Sequence, residues 1–181
     1  MDEEFKKEMG NKSSLEKIHG TCPSSEDNAD LAPKDCDHDW EAISQPSVAE
    51  ATEANKKLID KLGNKASRSG QKRGYAFENR AIEDNLPKMN LVSAGAEYKC
   101  KKCGQDQEVD VVGDRQIGEA KSTNANQYKN KGKQRKRLRD IQSKLFDPSL
   151  PPRAKIDGQN EDHQELKKRY ENSGFEVEVV N

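Results

Sequence analysis

The sequence predicts an α/β fold, a mixed sheet flanked by helices and preceded by an acidic, partly irregular N-terminal arm. Three observations carry this expectation. Beyond about residue 70, apolar residues recur first at helical spacing, then in three short strand-like runs, then at helical spacing twice more before a closing alternating run. Charge is divided along the chain: residues 1–70 hold 10 Lys and Arg against 15 Asp and Glu, and residues 71–181 hold 22 against 18. Only 30% of the 181 residues are hydrophobic and the mean hydropathy is −1.19, which excludes a core spread over the whole length. The chain therefore reads as an arm over residues 1–69 with one helix near 47–62, and a domain over residues 70–181.

The elements follow in order. Up to about residue 45 the chain reads as loosely structured: residues 1–20 have the pattern of a weak helix, and residues 21–39 are turn-forming, acidic and nearly free of large apolar residues, as disordered or metal-tied segments are. Trp40 reads as a packing anchor for the arm. Over residues 47–62, Val48, Ala51, Ala54, Leu58, Ile59 and Leu62 mark one helical face, and Gly63 follows as a cap. A basic linker leads to a second helix with Phe77, Ala81, Ile82 and Leu86 on one face and Pro87 at its end. Residues 96–101, 107–113 and 116–122 are short strand candidates. A basic helix carrying Leu138, Ile141 and Leu145 comes next, then a helix over residues 161–172 stopped by Gly174, then the alternating strand FEVEVV. No run of apolar residues is long enough for a signal peptide or a membrane span.

The chemistry is concentrated in QEVDVVGD and IGEAKST. Alternate residues of a strand share a face, so Glu119 and Lys121 point the same way, and a hairpin through Gly113, Asp114 and Arg115 brings Asp110 beside them. Two carboxylates and an ammonium group then converge. Hard divalent cations such as Mg²⁺ bind through one or two carboxylates plus substrate phosphate, and a neighbouring lysine can orient or deprotonate the attacking water. With 36% of residues charged, the plainer alternative is a solvated hairpin. The valines around Asp110 argue for the site.

Asp110 followed by Glu119-Ala120-Lys121 resembles the PD-(D/E)xK, or restriction-endonuclease-like, nucleases. The resemblance spans roughly residues 74–181, with Val109 standing where the family motif has proline. It implies a restriction-endonuclease-like sheet with Asp110 and Glu119 as ligands of Mg²⁺ or Mn²⁺ and Lys121 assisting water. It also assigns the glutamate of the first helix, Glu78 in GYAFENRAIEDNL, as a supplementary ligand. DNA is the substrate the family most often cuts, and RNA is the alternative.

Residues 121–144 hold nine Lys and Arg against one acid, Asp140. Such density repels itself unless a polyanion faces it. Lys129, Lys131, Lys133, Gln134, Arg135, Arg137 and Arg139 are the candidate nucleic-acid contacts, gripping phosphates without reading sequence. A solvated helix face or an acidic partner protein is the other reading of this charge. Gln127 or Gln134 would support the catalytic centre, as polar residues of this helix do in several branches of the family.

Cys100 and Cys103 form a CxxC followed by Gly104, the tight turn of a zinc knuckle. Cys36 and His38 in CDHDW resemble the other ligand pair of a zinc ribbon, some sixty residues upstream, with Cys22 as a substitute ligand. A structural Zn²⁺ on Cys36, His38, Cys100 and Cys103 would staple the arm to the catalytic hairpin. Disulfides, if the protein is exported, and reduced thiols are the alternatives. His19 and His163 are isolated and read as solvated.

The chain is thus expected to be a metal-dependent endonuclease acting in a cytoplasm. A basic nuclease half behind a separable N-terminal part is similar to the C-terminal modules of bacterial polymorphic toxins, which are delivered into target cells and restrained by acidic immunity proteins. A noncatalytic zinc-ribbon nucleic-acid-binding protein and an RNA-cleaving toxin of the same fold are the competing functions.

Overall fold

The computed structural model of the chain describes residues 36–63, 69–85, 88–122 and 132–180. Six strands form one mixed sheet in sequence order: β1 Trp40–Ser44, β2 Leu91–Cys100, β3 Asp106–Gly113, β4 Ile117–Lys121, β5 Arg153–Asp157 and β6 Glu176–Val180. Pairs β1–β2, β2–β3 and β3–β4 are antiparallel, while β4–β5 and β5–β6 are parallel. Among the described residues, four helices flank the sheet: α1 Val48–Leu62, α2 Ser69–Asn85, α3 Gly132–Leu145 and α4 His163–Glu171. Parallel neighbours need a crossover rather than a hairpin. α3 and α4 provide the two crossovers, joining β4 to β5 and β5 to β6.

The mixed α/β sheet flanked by helices agrees with the expectation, and two strands depart from it. The stretch read as irregular up to about residue 45 contains β1, which pairs with β2 from Trp40 opposite Cys100 onward. β5 had no recognised counterpart in the sequence. Its residues Lys155 and Asp157 are buried charges that no alternating apolar pattern would reveal.

Two apolar layers cover the sheet. On one face, Leu138 and Ile141 of α3 and Leu166 and Tyr170 of α4 pack with Val109, Val112, Ile117, Ala154 and Ile156. On the other, Phe77, Ala81 and Ile82 of α2, with Val48 and Ala51 of α1, cover Ala94, Val111 and Ala120. Neighbouring strand residues should alternate between these faces. Val109 and Val111 do not. They lie in different layers although two residues apart, as do Ala96 and Ala94 opposite them, so the alternation resets at Asp110 and at Gly95, whose φ is +62°. A left-handed glycine at such an irregularity re-aims the strand without steric cost.

α1 begins at a capping box in which Ser47 Oγ accepts from the Glu50 N–H and Glu50 Oε2 accepts from the Ser47 N–H at 2.8 Å. α3 is riveted to the start of β4 by one buried amide. Gln142 accepts from the Ile117 N–H at 2.9 Å and donates to the carbonyls of Arg115 and Asp147 at 3.1 and 2.9 Å.

Candidate metal centres and the strand fork

The ladder between β3 and β4 is short: Val112 faces Ile117 and Val111 faces Gly118, and there the register ends. β4 continues against β5, with Glu119, Ala120 and Lys121 opposite Ala154, Lys155 and Ile156. The two strands therefore part at Asp110. Its Oδ2 accepts the Ala120 N–H at 2.6 Å, so a side chain bridges the fork.

Around the fork the predicted residues gather. Lys121 Nζ pairs with Glu119 Oε1 and lies 3.9 Å from Asp110 Oδ2. Gln134 of α3 donates to Glu119 Oε1 at 2.9 Å; Gln127 lies outside the described residues. Glu78 approaches from α2, and its Oε2 accepts from Asn55 of α1 at 3.4 Å. Asn55 was not anticipated, and no local signal marks it.

Glu119 is 2% exposed, and its Oε2 is buried without a hydrogen-bond partner. Burial, reinforced by the Asp110 charge, pushes its carboxyl up to about 8 against the opposing pull of Lys121. Glu78 is raised to about 7, again first by burial and then by Asp110. Glu108, two residues before Asp110, is raised for the same two reasons. A buried carboxylate oxygen lacking a partner, in a group of mutually repelling acids, has the chemistry of an oxygen-ligand cation site. The acids do not form a closed cage, because the Lys121 ammonium stands between two of them.

The cysteine cluster is more complete. Cys36, His38, Cys100 and Cys103 offer donor atoms that all lie within 4.8 Å of one another, the one such group among the described residues. A tetrahedron with Zn–S bonds of about 2.3 Å has edges of roughly 3.8 Å, so the donor set fits zinc. The two halves meet because β1 pairs with β2, closing a gap of some sixty residues. The knuckle turns through Gly104, at φ +70°, whose N–H donates to the Cys100 carbonyl at 2.8 Å. Burial lowers His38 below the ordinary imidazole range despite the nearby Asp140, favouring the neutral form that binds metal. Cys22 lies outside the described residues.

The segment carrying Cys36 and His38 is fastened to α3. Trp40, 3% exposed, donates its Nε1 hydrogen to Asp140 Oδ2 at 2.7 Å, and Lys144 donates to Asp37 and to the His38 carbonyl. Trp40 is thus an anchor in the literal sense.

The basic helix divides its charges. Lys133, Lys136 and Arg139 are exposed. Arg135 donates to Ser173 Oγ at 2.9 Å and lies over the Tyr170 ring, 5.6 Å from its centroid. Arg137 reaches the Asp106 carbonyl at 3.5 Å. Lys129, Lys131 and His19 lie outside the described residues. His163 sits at the start of α4, with Nδ1 2.6 Å from the Asn160 carbonyl. No described helix is long and apolar enough to cross a membrane. Comparison with models of known protein families, with curated proteins and with solved structures finds no match.

Proposed function

We propose that the chain is a metal-dependent nuclease of the PD-(D/E)xK type that hydrolyses phosphodiester bonds of DNA. The observation that carries this reading is the strand fork itself: Asp110 bridges to the Ala120 N–H, which sets Glu119 and Lys121 beside it where the β3–β4 ladder ends. Asp110 and Glu119 would hold a Mg²⁺ or Mn²⁺ ion, with Glu78 as a supplementary ligand; that ion would offset charge on the phosphoryl oxygens and favour ionisation of water. Gln134 orients Glu119. Lys121 would orient the attacking water and stabilise the pentavalent transition state. The exposed cations of α3 would hold the phosphate backbone.

The cysteine cluster is read as a structural Zn²⁺ site that fixes the segment before β1 to the knuckle at the end of β2. A second reading follows from the same cluster, since its donors are the more fully assembled set: a zinc-stabilised nucleic-acid-binding module without catalysis. RNA in place of DNA is a variant of the first reading, and a toxin restrained by an acidic protein on α3 is its biological form. Cleavage of supercoiled plasmid with Mg²⁺ against excess chelator separates the two. The nuclease requires an exchangeable hard cation, and the binding module leaves the plasmid intact in both.

A further inference from the structure

Glu78 is held from outside its own helix. Asn55 of α1 uses both amide hydrogens, donating from Nδ2 to Glu78 Oε2 at 3.4 Å and to Asn79 Oδ1 at 3.0 Å. Asn79 returns the contact, donating from its Nδ2 to the Thr52 carbonyl at 3.4 Å. The reverse orientation of the Asn55 amide would set its oxygen against a carboxylate and a carbonyl oxygen, so its partners define it as a donor. All three side chains are partly buried, whereas α1 as a whole has no fully buried residue. An amide network is not what a helix needs merely to cover apolar surface, for which Val48 and Ala51 already serve.

The charged groups acting on Glu78 are Asp110 and Glu108 of β3 and Lys121 of β4. Two of these three repel it. The Asn55 amide, a donor to Glu78 Oε2, acts against that repulsion.

We infer that Asn55 is a positioning residue for the nuclease centre, its amide aiming the Glu78 carboxylate at the Asp110–Glu119 fork while leaving Oε1 for a divalent cation or its water. This rests on the nuclease reading above and adds α1 to the machinery. Partners that orient a ligating carboxylate are worth on the order of 10- to 100-fold in metal affinity or activity.

The test compares the full-length protein with Asn55→Ala and Asn55→Asp in plasmid cleavage across a Mg²⁺ titration, with Mn²⁺ affinity measured separately by calorimetry. Aspartate keeps the shape and removes the donor, so it also serves if the alanine variant folds poorly. The expected result is a kcat lower by about 10-fold or more and a higher Mg²⁺ requirement in both variants, with KM for DNA nearly unchanged and Mn²⁺ affinity reduced. Asn55→Asp with wild-type kcat, Mg²⁺ requirement and Mn²⁺ affinity overturns the inference while leaving the nuclease reading in place. A wild-type protein that cleaves nothing in Mg²⁺ or Mn²⁺ removes the nuclease reading and this inference with it.

Discussion

Asp110 accepts the Ala120 N–H at 2.6 Å, so the strand fork at the proposed site is closed by a carboxylate where a regular ladder would use a backbone carbonyl. The bond ties the position of one acid to the backbone that carries the next. Small changes at the last regular pair, Val111 and Gly118, should therefore be felt at both.

Gly118 tests that coupling. A Cβ built there meets Val111 Cγ2 at 2.6 Å, and Val111 is buried against Ile82 and Ala94, so it has little room to move. Gly118→Ala is expected to cost about 1–3 kcal/mol in denaturant unfolding, as overpacking generally does. It should also lower cleavage more than that loss of stability explains. An alanine variant with unchanged stability and activity would show that the fork tolerates displacement.

The zinc site leaves a separate trace. Protein purified without added metal is expected to contain about one zinc per chain, because tetrahedral thiolate–imidazole sites bind tightly and couple binding to folding. Cys100→Ser combined with Cys103→Ser should lose that zinc and lower the thermal midpoint, while Asp110→Ala should retain it. Elemental analysis without zinc, together with thiols that react fully in the native protein, would contradict the stapled segment. Thiols that react only after reduction would replace it with disulfides.

The carboxyl shifts predict a direction with pH. Glu119 titrates near 8 in the folded protein against an ordinary value of 4.5, and Glu78 near 7. A raised folded value means that the unfolded chain gives up its proton first. The stability associated with these groups is thus full below about 4.5 and is lost as pH rises through about 7–8. Without divalent cations, the thermal midpoint should fall over that window, and Glu119→Gln should flatten the fall. Mg²⁺ should restore most of what the wild type loses at pH 8, because a cation favours the ionised acids.

The basic helix calls for a choice among its cations. Arg135 is engaged with Ser173 and Tyr170, so Arg135→Gln is expected to act on stability. Lys133, Lys136 and Arg139 stand on exposed positions. Replacing these three with Gln should weaken binding to all DNA sequences and flatten the salt dependence of affinity by roughly one slope unit per lost contact. A slope unchanged within error would indicate a solvated face or a protein partner.

How far these features could be read in advance depends on where each residue finds its partner. β3 and β4 were legible because Val109, Val111, Val112 and Ile117 form short β-branched runs on either side of a glycine-containing turn, and the CxxC turn because its ligands lie three residues apart. Cys36 and His38 were legible as ligand types. What unites them with the knuckle is the pairing of β1, a strand whose Glu41, Ala42 and Ser44 give no alternation of their own. β5 was hidden because its polar residues are satisfied at long range: Lys155 donates to Asp84 at 2.9 Å, and Asp157 accepts from Arg73 at 2.8 Å. The burial of Glu119 was hidden for a similar reason, since Gln134 and the cover of α3 arrive from the far side of a crossover. Asn55 belongs to the same class, a polar residue whose meaning resides in another helix.

The central claim, that the fork is a hydrolytic centre, is tested most directly by plasmid cleavage with Asp110→Asn. Asparagine nearly matches the shape of aspartate and can still accept the Ala120 N–H through its oxygen, so the fork should stay closed while one ligand charge is removed. Wild-type protein is expected to nick and linearise plasmid in Mg²⁺ and to stop on chelation, and the variant to fall by at least about 100-fold with its fold and zinc content intact. Equal cleavage by Asp110→Asn and wild type in Mg²⁺ would contradict the account.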